Sequence, residues 1–101
     1  MLQLPTENRN KAVTVGTTSV EVSRQISVGQ VISRVYTNAS SAGQVISLAW
    51  GEPAVANSGM VLYPQGSWSE TIDVAYIPSS DAVNAIASAA GGVLAVAERQ
   101  R

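Results

Sequence analysis

The chain has 101 residues, the size of one domain, and is 46% hydrophobic but only 5% aromatic, so its core must consist mainly of Val, Ile, Leu and Ala. A net charge of -1 with scattered basic residues offers no positive field for phosphates, so we expect no nucleic-acid partner. Because the sequence has no His and no Cys, it lacks the commonest catalytic bases, nucleophiles and metal ligands, and we expect neither an enzyme nor a cofactor.

The first ten residues are mostly polar and show no periodicity. Pro5 is followed by charged and amide side chains, a composition typical of an extended segment. The sequence therefore predicts an extended N-terminal arm over residues 1–10 and a β-sandwich domain over residues 11–101. The longest apolar run, residues 89–97, is too short to cross a bilayer, so we expect no membrane partner.

Short segments rich in Val, Ile and Thr follow the arm, separated by Gly, Pro, Asn or Ser at intervals of about 8–12 residues, as in sandwiches and barrels. In the clearest of them, Val20, Val22 and Arg24 alternate with small or charged residues, which indicates a half-buried strand. Turn-forming residues at 38–43 separate two further segments. The predicted strands of this half are 11–15, 18–26, 31–37 and 44–50.

The next predicted strands are 60–63 and 67–77. Between them lies a turn in which Pro64 is expected to set the first backbone angle and Gly66 to accept the positive one. In the longer strand we expect Trp68, Ile72 and Val74 to share one face. Glu70 falls on the same apolar face, so we place it at the rim of the core.

The last stretch allows two interpretations. Asp81 followed by a small apolar run and Gly91-Gly92 is compatible with a capped helix. We favour two strands, 82–90 and 93–99, joined as a hairpin at the glycine pair. Both faces of this hairpin are small and apolar, so we expect a neighbouring subunit to cover one of them. The predicted subunit contacts are Leu2, Leu4, Val93, Leu94 and Val96.

The predicted fold class is therefore all-β: a single β-sandwich or jelly-roll-like barrel of about eight short antiparallel strands with an extended N-terminal arm.

Two aromatic side chains define the alternative binding chemistry. Trp50 and Trp68 could stack on the rings of a sugar. Glu52 and Glu70 lie next to them in sequence, and an acid pair near aromatic rings is what a glycosidase uses. A glycosidase rarely fits into a chain with such short loops, so surface and rim roles for both carboxylates are the preferred interpretation.

Residues 31–70, VISRVYTNASSAGQVISLAWGEPAVANSGMVLYPQGSWSE, resemble a pattern of small virion proteins of tailed bacteriophages: two strands with their turns, then Gly, two apolar residues, Leu, Pro and Gly-Ser. Residues 85–99, AIASAAGGVLAVAER, are similar to the closing hairpin of such proteins. The resemblance implies a capsid decoration (cement) protein or a head or tail accessory subunit. Such β-sandwiches assemble as trimers or other rings and bridge neighbouring coat proteins.

The sequence and this resemblance together predict a non-enzymatic structural protein located in the virion. Its expected partners are further copies of itself, most simply in a trimer, and the major capsid protein or another virion protein. One alternative is a receptor- or carbohydrate-binding spike module that uses Trp50 and Trp68. Another is a bacterial surface or pilus-like β-domain.

Overall fold

The computed structural model describes residues 7–26 and 30–100, and within them every regular element is a strand. The eight strands are β1 Glu7–Val15, β2 Val20–Ser23, β3 Val31–Asn38, β4 Ile46–Trp50, β5 Met60–Leu62, β6 Ser67–Thr71, β7 Val83–Ala87 and β8 Gly92–Gln100. The all-β prediction is confirmed. In this part of the chain no helix is long and apolar enough to span a membrane.

The strands form two four-stranded antiparallel sheets that face each other. Sheet A has the order β1-β8-β3-β6, and sheet B has the order β2-β7-β4-β5. Except for the β4–β5 hairpin, each strand is followed in the chain by a strand of the other sheet. This strand order, with two interlocked Greek keys, is the topology of a jelly roll.

The core lies between the sheets and is aliphatic, as the composition predicts. Its fully buried members include Val15 and Leu94 from sheet A and Ile46, Leu48 and Val83 from sheet B. Tyr36 is the largest apolar ring among the buried residues, and no Phe is available to share this role. The sheets therefore meet through branched side chains whose few rotamers suit a pleated surface.

The loops gather at two ends of the sandwich. The end we call the Asn38 end carries residues 16–19, 39–45, 63–66 and 88–91, and the opposite end, which we call the Val74 end, carries residues 72–82. The loop of residues 51–59 starts at the Val74 end and folds back along sheet B, where Ala54 N donates to Ser19 Oγ at 2.9 Å and Asn57 N donates to Ser47 Oγ at 3.0 Å. At the Asn38 end, backbone hydrogen bonds connect the loops to the strands. For example, Ala87 N at the end of β7 donates to Gly16 O, just after β1, at 2.8 Å.

Strand β1 begins four residues before the predicted start of the domain. Residues 7–10 pair with residues 97–100 of β8, so this part of the predicted arm belongs to sheet A. Residues 1–6 lie outside the described part of the chain, and the extended conformation expected for them stays a prediction.

Strand β6 ends at Thr71 rather than at Ile77. After Thr71 the chain turns back, and Asp73 N and Tyr76 O lie 2.9 Å apart across the turn. The prediction that Val74 shares the buried face is wrong, since its side chain is fully exposed. The Asp73 carboxylate accepts a hydrogen bond from Ala75 N at 3.4 Å, a local turn that Asp favours and that outweighs the strand pattern.

The final two segments are strands, as predicted, but they do not form a hairpin. Strand β7 pairs with β2 and β4, whereas β8 pairs with β1 and β3, so the chain crosses from sheet B to sheet A at Gly91-Gly92. A Cβ at Gly92 would lie 2.8 Å from Val15 O and 2.9 Å from the Ala87 Cβ. At position 92, glycine is therefore required by close packing where the chain crosses between sheets, and Gly91 supplies the positive φ, 82°, of the connecting turn.

The turn at Pro64 also differs in one detail. Its hydrogen bond runs from Gly66 N to Tyr63 O at 2.7 Å, which makes Gln65 the third residue, and Gln65 has φ 70°. The positive angle thus falls on Gln65 and not on Gly66. A side chain at Gly66 would instead crowd Tyr63 O, at 2.9 Å.

Candidate interaction surfaces

The outer face of sheet A is the broadest regular surface of the molecule. Directly opposed residues on neighbouring strands point to the same side, so the register identifies its members. They are Asn8, Asn10, Ala12, Thr14, Ser33, Val35, Thr37, Ser67, Ser69, Thr71, Val93, Ala95, Ala97 and Arg99. Arg99 is the single charged residue in this set, and no aromatic residue is among them.

Most side chains on this face are small. Arg99 Nε donates to Asn8 Oδ1 at 3.0 Å, which holds the guanidinium along the sheet. A shallow depression of about 320 Å³ lies where Asn10, Ser33, Val35 and Ala97 meet. Val35, on a central strand, is 39% exposed, a large fraction for a valine in a sheet interior. The surface therefore offers neutral contacts and a hollow rather than a charged or catalytic cleft.

The Val74 end exposes a second, more apolar surface. Val74, Tyr76 and Ile77 are exposed on the loop after β6. Val55 is also exposed, on the part of the β4–β5 loop that lies along sheet B. A cavity of about 320 Å³ opens beside the β4–β5 loop, lined among others by Trp50, Pro53, Val55 and Met60. We call it the apolar cavity.

A buried polar cluster lies beneath the Val74 end. Arg34 of β3 is fully buried, with its Nε 3.4 Å from Glu98 Oε2 and its Nη1 3.7 Å from Glu70 Oε1. The strand register explains this meeting, because Arg34 is opposite both Glu70 on β6 and Glu98 on β8. The prediction that Glu70 lies at the rim is wrong: it is 7% exposed.

Two tyrosines extend this cluster. Ser23 Oγ donates to Glu98 Oε1 at 3.0 Å and lies 2.8 Å from the Tyr36 hydroxyl, which must then donate to it. Burial raises the pKa of Tyr36 to about 12, although the Ser23 hydrogen bond and the Arg34 charge act to lower it. Tyr76 donates to Glu70 Oε2 at 2.6 Å, and this hydrogen bond raises the pKa of Tyr76.

The residues predicted to contact other subunits have different surroundings in the structure. Leu94 and Val96 are 0% and 2% exposed and belong to the core of this chain, so they cannot also form a subunit contact while the domain stays folded. Val93 is half-buried on the outer face of sheet A. Leu2 and Leu4 lie outside the described residues.

Trp50 and Trp68 do not form an open stacking platform. Their rings meet edge to face with centroids 5.1 Å apart, and Trp68 also stacks on Tyr36 at 6.1 Å. Both side chains are half-buried against the core. Glu52 is exposed whereas Glu70 is held by Arg34, so the two carboxylates considered as an acid pair have different surroundings.

Known proteins add no further constraint to these surfaces. A scan against protein-family models found no match, and a search of curated proteins likewise found none. Within residues 7–26 and 30–100, no group of three or more acidic residues is placed to hold a metal ion.

Sequence reasoning missed the Arg34 cluster and the exposed tip at Val74. For the cluster a weak signal existed, because Glu70 shares a face with Trp68 and Arg34 shares one with Tyr36. Two opposite charges on apolar strand faces could have been paired with each other. For the tip, the turn-forming Asp73 within the predicted strand was the available signal.

Proposed function

We propose that this chain is a non-enzymatic virion structural protein, a capsid decoration (cement) subunit that bridges neighbouring coat proteins. The observation that carries the proposal is the outer face of sheet A, which spans four strands and is almost free of charge. A virion location and assembly with further copies, most simply as a trimer, belong to the same proposal.

The chemistry of this face suits a permanent protein contact. Neutral Ala, Thr, Ser and Asn side chains avoid the desolvation cost of burying isolated charges. Short side chains also lose little rotamer freedom when a partner covers them. Since β-sheets are fixed by their backbone hydrogen bonds, the face needs no rearrangement before it binds.

The size of the face is of the order that protein partners require. The four strands have nine, nine, eight and five residues, and at about 3.3 Å per residue and about 4.8 Å between strands they form a face of roughly 500 Å². Stable protein interfaces bury about 800 Å² per partner. The face supplies more than half of one such contact, and the remainder would come from its rim.

The choice of a virion among many assemblies comes from the sequence resemblance in residues 31–70 and 85–99. Jelly rolls occur in viral capsid domains, and also in lectins and cupins, so the topology is compatible with this role without selecting it. The resemblance and the neutral face point to the same class of function: a subunit that acts by contact.

The genomic neighbourhood provides the first test. Genes for a coat protein and a portal protein are expected beside the gene for this chain. A neighbourhood without virion genes would contradict the proposal.

A binding experiment provides the second test. Shells assembled from the neighbouring coat protein are mixed with the chain and sedimented. Val35→Asp places a charge at the centre of the outer face of sheet A and should weaken co-sedimentation about tenfold or more. Tyr63→Asp, at an exposed position of the Asn38 end, is the matched control and should bind like the wild type. Equal binding of both variants would remove this face from the proposal.

A ligand-binding module is the second candidate, favoured by the apolar cavity beside Trp50 and Glu52. A cavity of about 320 Å³ is at the lower limit of known ligand pockets, which start at about 300 Å³. Glycan-array binding that Glu52→Gln weakens would favour this module. Glu52 is exposed, so the substitution leaves the fold intact.

A further inference from the structure

The hollow on the outer face of sheet A has a small residue at its centre. Asn10 of β1, Ala97 of β8 and Val35 of β3 lie side by side in the register. Ala97 is exposed and has the shortest side chain of the three, so the surface is indented between its two larger neighbours. At about 320 Å³, the hollow is at the lower limit of ligand pockets, which suits a side chain of a partner better than a larger ligand.

The polar groups around this hollow are hydrogen-bond donors. Arg99 lies in the adjoining row of the register, between Asn8 and Ser33. Its Nε donates to Asn8 Oδ1 at 3.0 Å, which holds the guanidinium along the rim of the hollow. Asn10 contributes an amide and Ser33 a hydroxyl, and both groups can donate. Because a guanidinium only donates, this rim suits a group that only accepts, which is an anion.

The acidic residue that borders the hollow does not neutralise Arg99. Glu98 precedes Arg99 on β8, so its side chain points to the other side of the sheet, into the sandwich. There its Oε2 lies 3.4 Å from Arg34 Nε, and its Oε1 accepts a hydrogen bond from Ser23 Oγ at 3.0 Å. The described residues of the outer face include no acid, so the charge of Arg99 is not balanced within this face.

A partner that covers the face desolvates this arginine. Arg99 is exposed, so water solvates its charge in the free molecule. Removing that water is costly unless the partner supplies an opposite charge that is also hydrogen-bonded. A second copy that used the same face could not supply it, because it would bring the same arginine and no acid. The acceptor must therefore come from a different protein surface.

We propose that the partner of this face inserts the carboxylate of an Asp or Glu side chain into the hollow, where Arg99 binds it. This inference rests on the proposed structural role and names the chemistry of the coat-protein surface that the face recognises. A planar guanidinium can bind both oxygens of a carboxylate. Asn10 and Ser33 line the same hollow and can donate to the carboxylate as well. Val35 and Ala97 give its methylene carbons an apolar contact.

A single charge on a neutral face also fixes the position of the partner. Small neutral side chains contact a partner about equally well after it slides along the sheet. The ion pair forms in one position only, and charge complementarity contributes to specificity more than to affinity. Arg99 is therefore expected to determine where the coat protein sits on sheet A.

Arg99→Gln tests this anchor in the shell co-sedimentation assay. The variant leaves the carboxylate of the partner without its cation, so binding should fall about ten- to hundredfold. Arg99→Lys keeps the charge but not the planar fork, so it should recover part of the binding. Arg24→Gln, at an exposed arginine after β2, changes the net charge equally and is the control that should bind like the wild type.

A second variant tests the hollow without changing any charge. Ala97→Leu fills the indentation and should weaken shell binding about tenfold or more. Since Ala97 is exposed, the variant should keep the wild-type circular dichroism spectrum and melting temperature. Ala42→Leu, at an exposed loop position of the Asn38 end, is the size-matched control. Shell binding by Ala97→Leu that equals the binding of this control would show that no side chain enters the hollow.

Carboxylate labelling of the shells tests the other side of the contact. Shells are treated with a carbodiimide and an amine, alone and saturated with the chain, and labelled sites are identified by mass spectrometry. The wild type should protect an Asp or Glu of the coat protein. Replacing that residue by its amide should weaken binding as much as Arg99→Gln does, and both changes together should weaken it no further. Additive losses, or shells without a protected carboxylate, would overturn the inference.

The two proposals fail in different ways in these experiments. If Val35→Asp loses shell binding while Arg99→Gln binds like the wild type, sheet A is the contact and only the carboxylate anchor is wrong. If both variants bind like the wild type, the proposed role of sheet A is wrong and the anchor fails with it.

Discussion

The two ends of the sandwich bury polar side chains in different ways. At the Asn38 end, the Asn38 amide donates to Gln44 O and to Leu62 O, each at 2.8 Å, and accepts from Ser40 N at 3.1 Å. One side chain thus satisfies three backbone groups of the loops that close this end. The hydrogen bonds have good geometry, and Asn38 is fully buried.

Beneath the Val74 end, the polar contacts join side chains to each other. Arg34 lies between Glu70 and Glu98 at ion-pair distances, but no group in the described part of the chain accepts a well-aligned hydrogen bond from its guanidinium. The two carboxylates accept hydrogen bonds from Ser23 and Tyr76, but the desolvation of the guanidinium is offset by Coulomb attraction alone.

This difference determines which end can be redesigned. Charged side chains that contact one another can be replaced together, because the groups left behind still find partners: Ser23 keeps its hydrogen bond with Tyr36, and the exposed Tyr76 hydroxyl can reach water. Asn38 satisfies backbone carbonyls that no substitution can remove. The Arg34 cluster should therefore tolerate a joint replacement, whereas Asn38 should tolerate none.

Arg34→Met should give the largest loss of stability. It leaves the buried carboxylates of Glu70 and Glu98 without their cation, which costs about 3–5 kcal/mol in comparable sites. Urea or thermal unfolding followed by circular dichroism measures this loss.

The matched test replaces all three charged side chains of the cluster. Arg34→Met combined with Glu70→Leu and Glu98→Leu should recover most of the lost stability, because buried ion networks are often no more stable than apolar residues of similar volume. A triple variant as unstable as the single one would show that the two ends do not differ in this way.

Asn38→Ala should cost somewhat less, about 2–4 kcal/mol, because Gln44 O, Leu62 O and Ser40 N lose their partner inside the protein. Asn10→Ala, an exposed asparagine on β1, is the control and should change the unfolding free energy by less than about 0.5 kcal/mol. An Asn38 variant with an unfolding free energy like that of the control would mean that the closing loops do not depend on this amide.

The sequence predicts strand positions well because they depend on neighbours in the chain. Alternation at Val20 and Val22, the turn residues at 38–43 and the Pro64-Gln65-Gly66 turn are local signals, and each marks a boundary close to that in the structure. The all-β class and a jelly-roll-like sandwich follow from these boundaries.

Pairing and charge burial depend on residues far apart and could not be predicted in this way. Gly91-Gly92 has the composition of a hairpin turn, but the partners of β7 and β8 are selected by the packing of both sheets. Likewise, Arg34 and Glu98 lie 64 residues apart in the chain (98 minus 34). They come into contact only because β3 and β8 are neighbouring strands in this register. The outer face of sheet A could not be predicted for the same reason, because its residues come from strands that are distant in sequence.

Tyr36, in the polar cluster beneath the Val74 end, makes the free energy of unfolding depend on pH. This effect is smallest at neutral pH. Its pKa is raised to about 12 from an ordinary 10, chiefly because burial penalises the phenolate, so the folded state holds this proton more tightly than the unfolded state. The resulting stability is fully present below pH 10 and is lost as the pH rises towards 12, by about 3 kcal/mol in total.

Tyr36→Phe should cost about 1 kcal/mol at pH 7 through the lost Ser23 hydrogen bond, and should remove this alkaline decline. Tyr76→Phe is the control: its pKa is also raised, but the side chain is about half exposed, so water stabilises its phenolate in the folded state and the decline should persist. Unfolding curves between pH 7 and 12 that run parallel for the wild type and Tyr36→Phe would show that the buried phenol is not linked to folding.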